Sequence, residues 1–200
     1  MAELEWGRRY LMCPPEHFGV LYEINPWMNA EVTVDPDRAR AQWEGLKATL
    51  EAAGAEVDVV RQTDAVPDMV FSANAGIVNV AADGGPRFVP SHFWHAERQG
   101  ETELFAAWFA EQGWAVDRLD PDLRHEGAGD ALPFGGVLLS GYRFRSDRAA
   151  ATQLADLPGG PVRSIELVDE RLYPVDITFC PLSDRHALCA PMGWDPYGRK

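Results

Sequence analysis

An internal repeat with an offset of 59 residues constrains the fold of this chain more than any other feature. Residues of matching type recur at that offset in two stretches, and no gap is needed between them. The matching pairs are Leu46 and Phe105, Leu50 and Phe109, Gly54 and Gly113, Val57 and Val116, Asp58 and Asp117, Gly76 and Gly135, and Val78 and Val137. A repeat of this size is typical of architectures whose neighbouring units bury each other's apolar faces. The alternative is an ordinary α/β sandwich in which the match arises by chance.

Each copy is predicted to contain a helix, a glycine stop and a strand. Residues 36–53 have the apolar spacing of an amphipathic helix, with Asp35 as a candidate cap and Pro36 suited to the first turn. Gly54 can end that helix, and residues 56–60 alternate as a strand does. A polar corner and a second buried strand follow, so the sequence predicts a mixed α/β fold.

A third, shorter copy is predicted in the last part of the chain. Its helix is Ser146–Leu157, its glycine stop is Gly159-Gly160 and its strand is Arg163–Val168. The corner Tyr173–Asp176 and the strand Ala187–Ala190 complete this copy.

Polar corners recur at the same place in all three copies. The first contains Asp68 and Asn74, the second contains Glu126 and Asp130, and the third ends at Asp176. Equivalent corners in a ring of units point at one axis. The repeat therefore predicts that these side chains line one polar pocket.

The second corner, His125–Asp130, is the most acidic of the three. Glu126 and Asp130 stand four positions apart on a backbone with two glycines between them, and glycine permits positive φ and close approach to other groups. The alternative is a turn whose acids cap backbone amides. An apolar run and the arginine-rich segment Gly141–Asp147 follow. Acids and arginines in this order suggest a site that could hold both a cation and a carboxylate.

Overall charge and composition exclude several classes of function. The 200 residues carry a net charge of −13, whereas nucleic-acid binding requires a basic face. No apolar run approaches the ~20 residues of a membrane span, and no signal peptide is apparent at the N-terminus. Three cysteines without a CxxC pair favour a cytoplasmic protein.

Residue spacing does not support metal, nucleotide or serine-nucleophile sites. His92 and His95 lack the i, i+4 spacing of a helical metal pair. The segment 127–129 lacks the third glycine of a dinucleotide loop, and its flanking acids would repel phosphate. Ser72 and Ser140 have no GxSxG context. We therefore predict neither a metal nor a cofactor.

Several motifs, in their order and spacing, resemble one known family. They are Met12–Pro15, Tyr22–Met28, Pro67–Asn74, Glu97–Glu101, Glu126–Asp130, Gly141–Asp147, Leu167–Asp169 and Cys180–Leu182. Together they resemble the guanidino-group-modifying family of dimethylarginine dimethylaminohydrolases, arginine deiminases and amidinotransferases. The resemblance implies the pentein fold, an α/β-propeller of five ββαβ-type units with the site on a pseudo-fivefold axis. It also implies a small arginine-like guanidino substrate.

The resemblance assigns roles to four residues, of which Glu126 and Asp176 are the catalytic candidates and Asn74 and Arg145 are substrate-binding candidates. Glu126 matches the glutamate that binds the guanidinium, and Asp176 matches the aspartate of the family's His-x-Asp corner. Asn74 lies where the deiminases carry a guanidinium-binding aspartate, and Arg145 matches the arginine that pairs with the substrate's α-carboxylate. A guanidinium fork binds a carboxylate through two oriented hydrogen bonds, which lysine would not reproduce.

Two further acids are candidate substrate contacts with open alternatives. Asp130 either contacts the ligand or mainly braces its corner. Asp68 is either an acid at the edge of the site or a turn residue after Pro67.

The chain departs from the family pattern at the general acid/base. In the family, a cysteine near the C-terminus attacks the guanidinium carbon and a histidine transfers protons. Here Pro174 stands at the histidine position, and His125 or His186 is a weak substitute because proton transfer requires close geometry. Cys180 and Cys189 have the character of small strand residues rather than nucleophiles.

These departures lead to two hypotheses about a single pentein-like domain at residues 1–200. The first is a guanidino-modifying enzyme whose ring lacks its C-terminal unit and whose exposed edge favours self-association. The second is a non-catalytic binding module or a degenerate paralogue. Under either hypothesis the chain as written is predicted to be inactive.

Overall fold

The computed structural model describes residues 9–80, 84–157 and 160–200. The backbone divides into two compact units, Met1–Ser72 and Ala73–Lys200. The predicted organisation of residues 1–200 as one domain stays a prediction. Within the described ranges, no helix combines the length and the apolar character needed to cross a bilayer.

From residue 9 onward, the first unit contains two parallel strands and one long helix. Strand β1 (Arg9–Met12) pairs with β2 (Glu56–Val59), and helix α1 (Pro36–Ala52) lies between them in the chain. The Asp35 carboxylate accepts a hydrogen bond from the main-chain N of Arg38 at 3.0 Å, which confirms the predicted cap.

The predicted glycine stop of α1 is confirmed, whereas the predicted apolar face of the helix is not buried. Gly54 ends the helix with a φ of 92°, the left-handed region that favours glycine. Leu46 is 54% exposed. No residue of Pro36–Ala52, a range that the structure describes completely, is fully buried. A 3₁₀ turn at Pro67–Val70 lies near the end of this unit.

The described residues of the second unit form three small sheets, each built on an antiparallel hairpin. The first has strands β3 (Gly76–Val80), β4 (Pro86–Pro90) and β5 (Ala115–Val116). The second has β6 (Ala131–Phe134), β7 (Val137–Tyr142) and β8 (Val162–Glu166), and the third has β9 (Phe179–Pro181) and β10 (Ala187–Cys189). In the first two sheets the second hairpin strand pairs in parallel with the strand that follows a helix.

Helices connect the hairpins to the parallel strands. The crossover from β4 to β5 contains α2 (Ala96–Gln99) and α3 (Glu101–Glu111). A one-turn helix, α4 (Gly127–Asp130), leads directly into β6, and α5 (Arg148–Asp156) connects β7 to β8. Another one-turn helix, α6 (Val175–Thr178), leads into β9.

A short helical turn therefore opens every hairpin of this unit. The 3₁₀ turn Ser72–Ala75 precedes β3 just as α4 precedes β6 and α6 precedes β9. Asn74 lies in the first of these turns, Asp130 in the second and Asp176 in the third. The prediction that the polar corners occupy equivalent positions is confirmed in this unit.

The offset of 59 residues holds for one of its two stretches. α3 ends 59 residues after α1, and Gly113 repeats the positive φ of Gly54 at 81°. The match of Gly76 with Gly135 is wrong, because Gly76 opens β3 whereas Gly135 lies in the tight turn between β6 and β7. In the third copy the helix and both strands are present; Gly159 lies outside the described residues, and Gly160 has a φ of 97°.

Apolar residues of consecutive sheets pack against each other. One buried cluster joins the first two sheets through Ile77, Val89, Ala131 and Leu154. The other joins the second and third sheets through Ile165, Leu167, Val175, Phe179 and Trp194. Neighbouring sheets of the second unit thus bury each other's apolar faces, as the repeat predicted.

Candidate functional site

Helix α4 is the centre of the candidate site, because it contacts both β3 and α6. Gly127 has a φ of 59°, and a Cβ at this residue would lie 2.7 Å from the main-chain N of Gly76. A side chain would therefore meet both strain and a backbone atom at this position. The glycine lets α4 lie directly against the start of β3, next to the turn that carries Asn74.

A second glycine of α4 leaves room for two polar side chains. A Cβ on Gly129 would overlap the side-chain nitrogen of Asn74, and it would lie 3.8 Å from Oδ2 of Asp176. Asn74 and Asp176 therefore both lie next to Gly129 of α4, although they are about a hundred residues apart in the chain.

Replacing Gly129 with alanine should displace the Asn74 amide and lower stability by about 1–2 kcal/mol, since an overpacked site must shift its neighbours. The displaced group is the end of a flexible side chain, so the loss should stay in this range. Thermal unfolding and the side-chain amide resonances of Asn74 measure the two effects. Gly45→Ala is the matched control, because no atom lies within 4 Å of its added Cβ. Stabilisation by both substitutions would contradict the packing described above.

The predicted guanidinium-binding acid, Glu126, is paired with an arginine of this chain. Arg145 Nη1 lies 3.0 Å from both carboxylate oxygens of Glu126. Glu126 is 1% exposed and Arg145 is 4% exposed, so the ion pair is buried. The guanidinium carbon of Arg145 also lies 4.6 Å from the centre of the Tyr173 ring, which is the geometry of a cation–π contact.

A strained turn delivers Arg145 to this position. Arg143 has a φ of 111°, and its main-chain N donates to the carbonyl of Ser146 at 2.9 Å. The turn points both Arg145 and Ser146 inward, where each is less than 5% exposed. Backbone strain in a residue other than glycine costs ~1–3 kcal/mol and is concentrated at functional sites.

Ser146 connects the two acids of the corner. It accepts a hydrogen bond from the main-chain N of Glu126 at 3.1 Å, and its hydroxyl donates to Oδ2 of Asp130 at 2.6 Å. The main-chain N of Val175 donates to the other oxygen of Asp130 at 3.2 Å. These bonds tie α4 to α6, so the geometry favours the bracing role of Asp130.

Burial changes the protonation of the two aspartates. Burial raises the pKa of Asp130 to about 8; the Ser146 hydrogen bond opposes this shift and the negative charge of Glu126 adds to it. The Asp176 residue is exposed as a whole, yet burial of its carboxyl raises its pKa to about 6. The negative charge of Glu126 raises this pKa further. A cation near Glu126 and Asp176 would relieve this repulsion.

Arg98 belongs to the site, although sequence reasoning included it only within a motif. Its Nε and Nη2 donate to the two carboxylate oxygens of Glu101 at 2.7 and 2.8 Å, and its Nη1 donates to Oδ1 of Asn74 at 3.1 Å. The Asn74 side-chain nitrogen faces the carbonyl of Glu126 at 3.5 Å. Arg98 therefore orients the Asn74 amide. In the sequence an i, i+3 charge pair has the appearance of an ordinary surface pair.

His95, whose spacing from His92 does not fit a metal pair, lies near the Glu126–Arg145 pair in the structure. Burial lowers the pKa of its ring, the positive charge of Arg145 lowers it further, and Glu126 opposes both effects. The ring therefore lies within electrostatic range of the Glu126–Arg145 pair. A guanidinium bound here would therefore meet the positive charge of Arg145 as well as the negative charge of Glu126.

The other candidate residues have their own local surroundings, and the role of Asp68 as a substrate contact stays a prediction. Asp68 is buried in the first unit, in the turn after Val66. His125 is fully buried, its ring nitrogens meet no hydrogen-bond partner among the described residues, and burial lowers its pKa to about 4. His186 lies near Ser183 in the β9–β10 connection.

Position 174 offers no proton-transfer group in the structure. Pro174 is buried and caps the start of α6, one turn before the strand that carries Cys180. Cys180 lies on β9 and Cys189 on β10, as predicted for strand residues.

The repeated hairpins, each opened by a short turn that carries a polar side chain, define the architecture of a pentein. The solved N-terminal domain of ArgZ, an arginine dihydrolase, bound to its substrate superposes with a TM-score of 0.87 at 44% identity, over 96% of this chain and 69% of that one. The chain therefore belongs to the guanidino-group-modifying family, and the predicted pentein fold is confirmed. No protein-family profile matches the chain.

Curated relatives give the same assignment. The chain is 44% identical over 195 residues to the bifunctional arginine dihydrolase/ornithine cyclodeaminase ArgZ of Synechocystis sp.. It is 41% identical over 179 residues to the N(G),N(G)-dimethylarginine dimethylaminohydrolase of Mycobacterium tuberculosis. It spans 27% of the length of the first and 56% of the second.

A more distant structure shares the fold. The dimethylarginine dimethylaminohydrolase from Pseudomonas aeruginosa, solved with citrulline, superposes with a TM-score of 0.75 at 16% identity. At this level of identity the similarity concerns the fold.

Proposed function

We propose that this protein acts on the guanidino group of arginine or a methylated arginine, and that the Glu126 corner binds that group. The observation that carries the proposal is the buried Glu126 carboxylate, which already holds a guanidinium through contacts of 3.0 Å. The substrates and activities of the relatives support the proposal for this chain. Hydrolysis is the favoured branch, since the relatives named above are a dihydrolase and a dimethylaminohydrolase.

The surrounding groups suit a flat, delocalised cation. Glu126 and Asp176 supply carboxylates, and Arg98 and the Glu126 carbonyl fix the orientation of the Asn74 amide. Charge-assisted hydrogen bonds of this kind are about twice as strong as neutral ones, and carboxylates can bind a guanidinium in two-pronged geometry. The proposed substrate-binding residues are therefore Glu126, Asp176, Asn74 and Arg145, with Asp130 bracing the corner.

A second candidate function is binding without turnover. The family reaction passes through a covalent cysteine–amidino intermediate, and its leaving amine must be protonated. Pro174 stands where the family carries the proton-transferring histidine, and a proline ring nitrogen in a peptide has no proton to give. This observation favours a binding module that retains the guanidinium corner.

Glu126→Gln should weaken the binding of L-arginine by roughly 10- to 100-fold, because a hydrogen bond to a charged partner contributes ~1.5–3 kcal/mol. Isothermal titration calorimetry on the full chain measures the affinity. Glu103→Gln is the matched control, since that glutamate pairs with Arg118 on the surface and is 73% exposed at its side chain. Equal arginine affinity in the wild type and Glu126→Gln would contradict the proposed role of Glu126.

Product analysis separates the two candidate functions. L-Arginine and N(G),N(G)-dimethylarginine are incubated with the purified chain, and citrulline, ornithine and ammonia are quantified. Product formation supports the hydrolase, whereas binding heat without product supports the binding module. No binding heat with either ligand would contradict both functions.

A further inference from the structure

A separate pocket lies in the second unit, between the end of β4, the start of α3 and the connection from β5 to α4. It has a volume of about 300 Å³, which is within the range of pockets that hold small ligands. Its lining comes from residues 90–125, a range that the structure describes completely, and includes none of the four proposed substrate-binding residues. The pocket is therefore distinct from the guanidinium corner.

His125 lines this pocket with a ring that still has its hydrogen-bonding capacity. The main-chain N and O of His125 are engaged with His92 at 3.0 and 2.8 Å, so the ring is the part of the residue that can bind something else. The residue is 1% exposed, and neither Nδ1 nor Nε2 meets a partner among the described residues. Buried polar groups are hydrogen-bonded with few exceptions, so this ring requires an explanation.

Other polar side chains of the lining have partners within the chain. The Thr102 hydroxyl donates to a main-chain carbonyl at 2.8 Å, and Nε2 of Gln99 donates to another at 3.1 Å. At the mouth, Arg118 donates to both carboxylate oxygens of Glu103 at 2.9 Å. His125 differs from these residues because its whole ring is available to a ligand.

The charge and shape of the pocket indicate the class of ligand. Burial lowers the pKa of His125 to about 4, so at neutral pH the ring is uncharged and has one N–H donor and one acceptor nitrogen. A carboxamide both donates and accepts, so it can pair with either tautomer of the ring. Pro90, Leu119 and Pro121 provide apolar walls for the body of such a molecule.

We propose that this pocket is a second binding site, in which His125 anchors small uncharged molecules that carry a carboxamide or lactam on a flat apolar body. The fold alone does not require histidine here, since phenylalanine fills a similar volume without an unpaired polar group. The proposal goes beyond the guanidino function and does not depend on it.

The test uses benzamide as the ligand and two-dimensional NMR on the full chain. Benzamide should shift the ring signals of His125 and the main-chain amide signals of Thr102 and Leu119. The shifts should saturate with a Kd on the order of 1 mM, as expected for a ligand of this size. Toluene, which has the same ring but no hydrogen-bonding group, is the matched control ligand.

His125→Phe separates the hydrogen bond from the shape of the pocket. The benzamide affinity should fall roughly 3- to 10-fold in this variant, because the amide loses its partner, whereas the toluene affinity should not fall. Denaturant unfolding should show that the variant is at least as stable as the wild type, since it replaces an unpaired buried polar group. His186→Phe, at an exposed position between β9 and β10, is the control and should change neither affinity.

Each outcome supports or overturns the proposal. Saturable benzamide shifts at His125 that weaken in His125→Phe support it. Equal losses of benzamide and toluene affinity in that variant overturn it, because they reflect a change of shape alone. If an ordered water of purely structural role satisfies the ring, His125→Phe will lose stability and the wild type will show no benzamide shifts, which also overturns it. Should His125→Phe fail to fold, the presence or absence of saturable wild-type shifts at His125 decides the question.

Discussion

Replacing Gly127 with alanine should lower the free energy of unfolding by about 3–5 kcal/mol, the largest single effect that we expect in this protein. Two costs combine at this residue. The φ of 59° disfavours any side chain, and the added Cβ would lie 2.7 Å from both the main-chain N of Gly76 and the Ser91 hydroxyl oxygen. A backbone atom at the start of β3 cannot move aside as a side chain can.

Gly113→Ala is the matched control for this substitution. Gly113 also has a positive φ, 81°, but no atom lies within 4 Å of a Cβ built on it. Gly113→Ala should therefore lower the free energy of unfolding only by the cost of a positive φ in alanine, about 1–2 kcal/mol. Denaturant unfolding of both variants gives the two free energies. If both variants lose the same free energy of unfolding, the Cβ added in Gly127→Ala does not clash with the start of β3.

The role of glycine in the second corner could be predicted from the sequence. Two glycines between two acids indicated positive φ and close approach, and Gly127 shows both. The helix, glycine stop and strand were also predictable, because Asp35, Gly54 and the alternation after it act through local backbone preferences.

Whether the offset of 59 residues continues into the hairpins was less predictable. Gly76 and Gly135 match in type, yet one opens a strand and the other turns a hairpin. Glycine serves both purposes, so its position alone does not distinguish them. The equivalent positions are fixed instead by the helical turns before β3, β6 and β9, which are too short to have a periodic signature.

The pairing of Glu126 with Arg145 could not be predicted from the sequence either. The residues are 19 positions apart and meet because the turn at Arg143 folds back over α4. The same holds for Arg98, whose third contact, to Asn74, depends on tertiary structure. Local patterns indicate which side chains are charged, whereas long-range packing decides which charges remain available to a ligand.

The protonation of Asp130 leads to the second large prediction, a loss of stability as the pH rises toward 8. Burial raises the pKa of Asp130 from 3.8 to about 8, so between these values the folded state holds a proton that the unfolded state releases. Stability then falls with rising pH by up to ~1.4 kcal/mol per pH unit, and the fall ends once the pH exceeds the folded-state pKa.

Other titrating side chains limit the pH range in which the contribution of Asp130 to stability can be measured by itself. Asp176, with a pKa of about 6, contributes a fall of the same sign at lower pH. His125 contributes the opposite sign, because burial lowers its pKa from 6.5 to about 4 and the unfolded state therefore binds the extra proton. Burial also lowers the pKa of His95 below 6.5. Between pH 6.5 and 8 the fall should come mainly from Asp130 and should reach about 2 kcal/mol.

Asp130→Asn should abolish this fall. Asparagine resembles the protonated acid: its side-chain oxygen can accept from the main-chain N of Val175, and its NH₂ group can donate to the Ser146 hydroxyl oxygen. The variant should match the wild type near pH 6.5 and exceed its stability at pH 8 by about 2 kcal/mol. Urea unfolding at a series of pH values measures the slopes, and Asp176→Asn is the control that should keep the wild-type slope above pH 6.5. If Asp130→Asn keeps that slope as well, Asp130 is ionised in the folded protein at neutral pH, and its hydrogen bonds to Ser146 and Val175 outweigh the effect of burial.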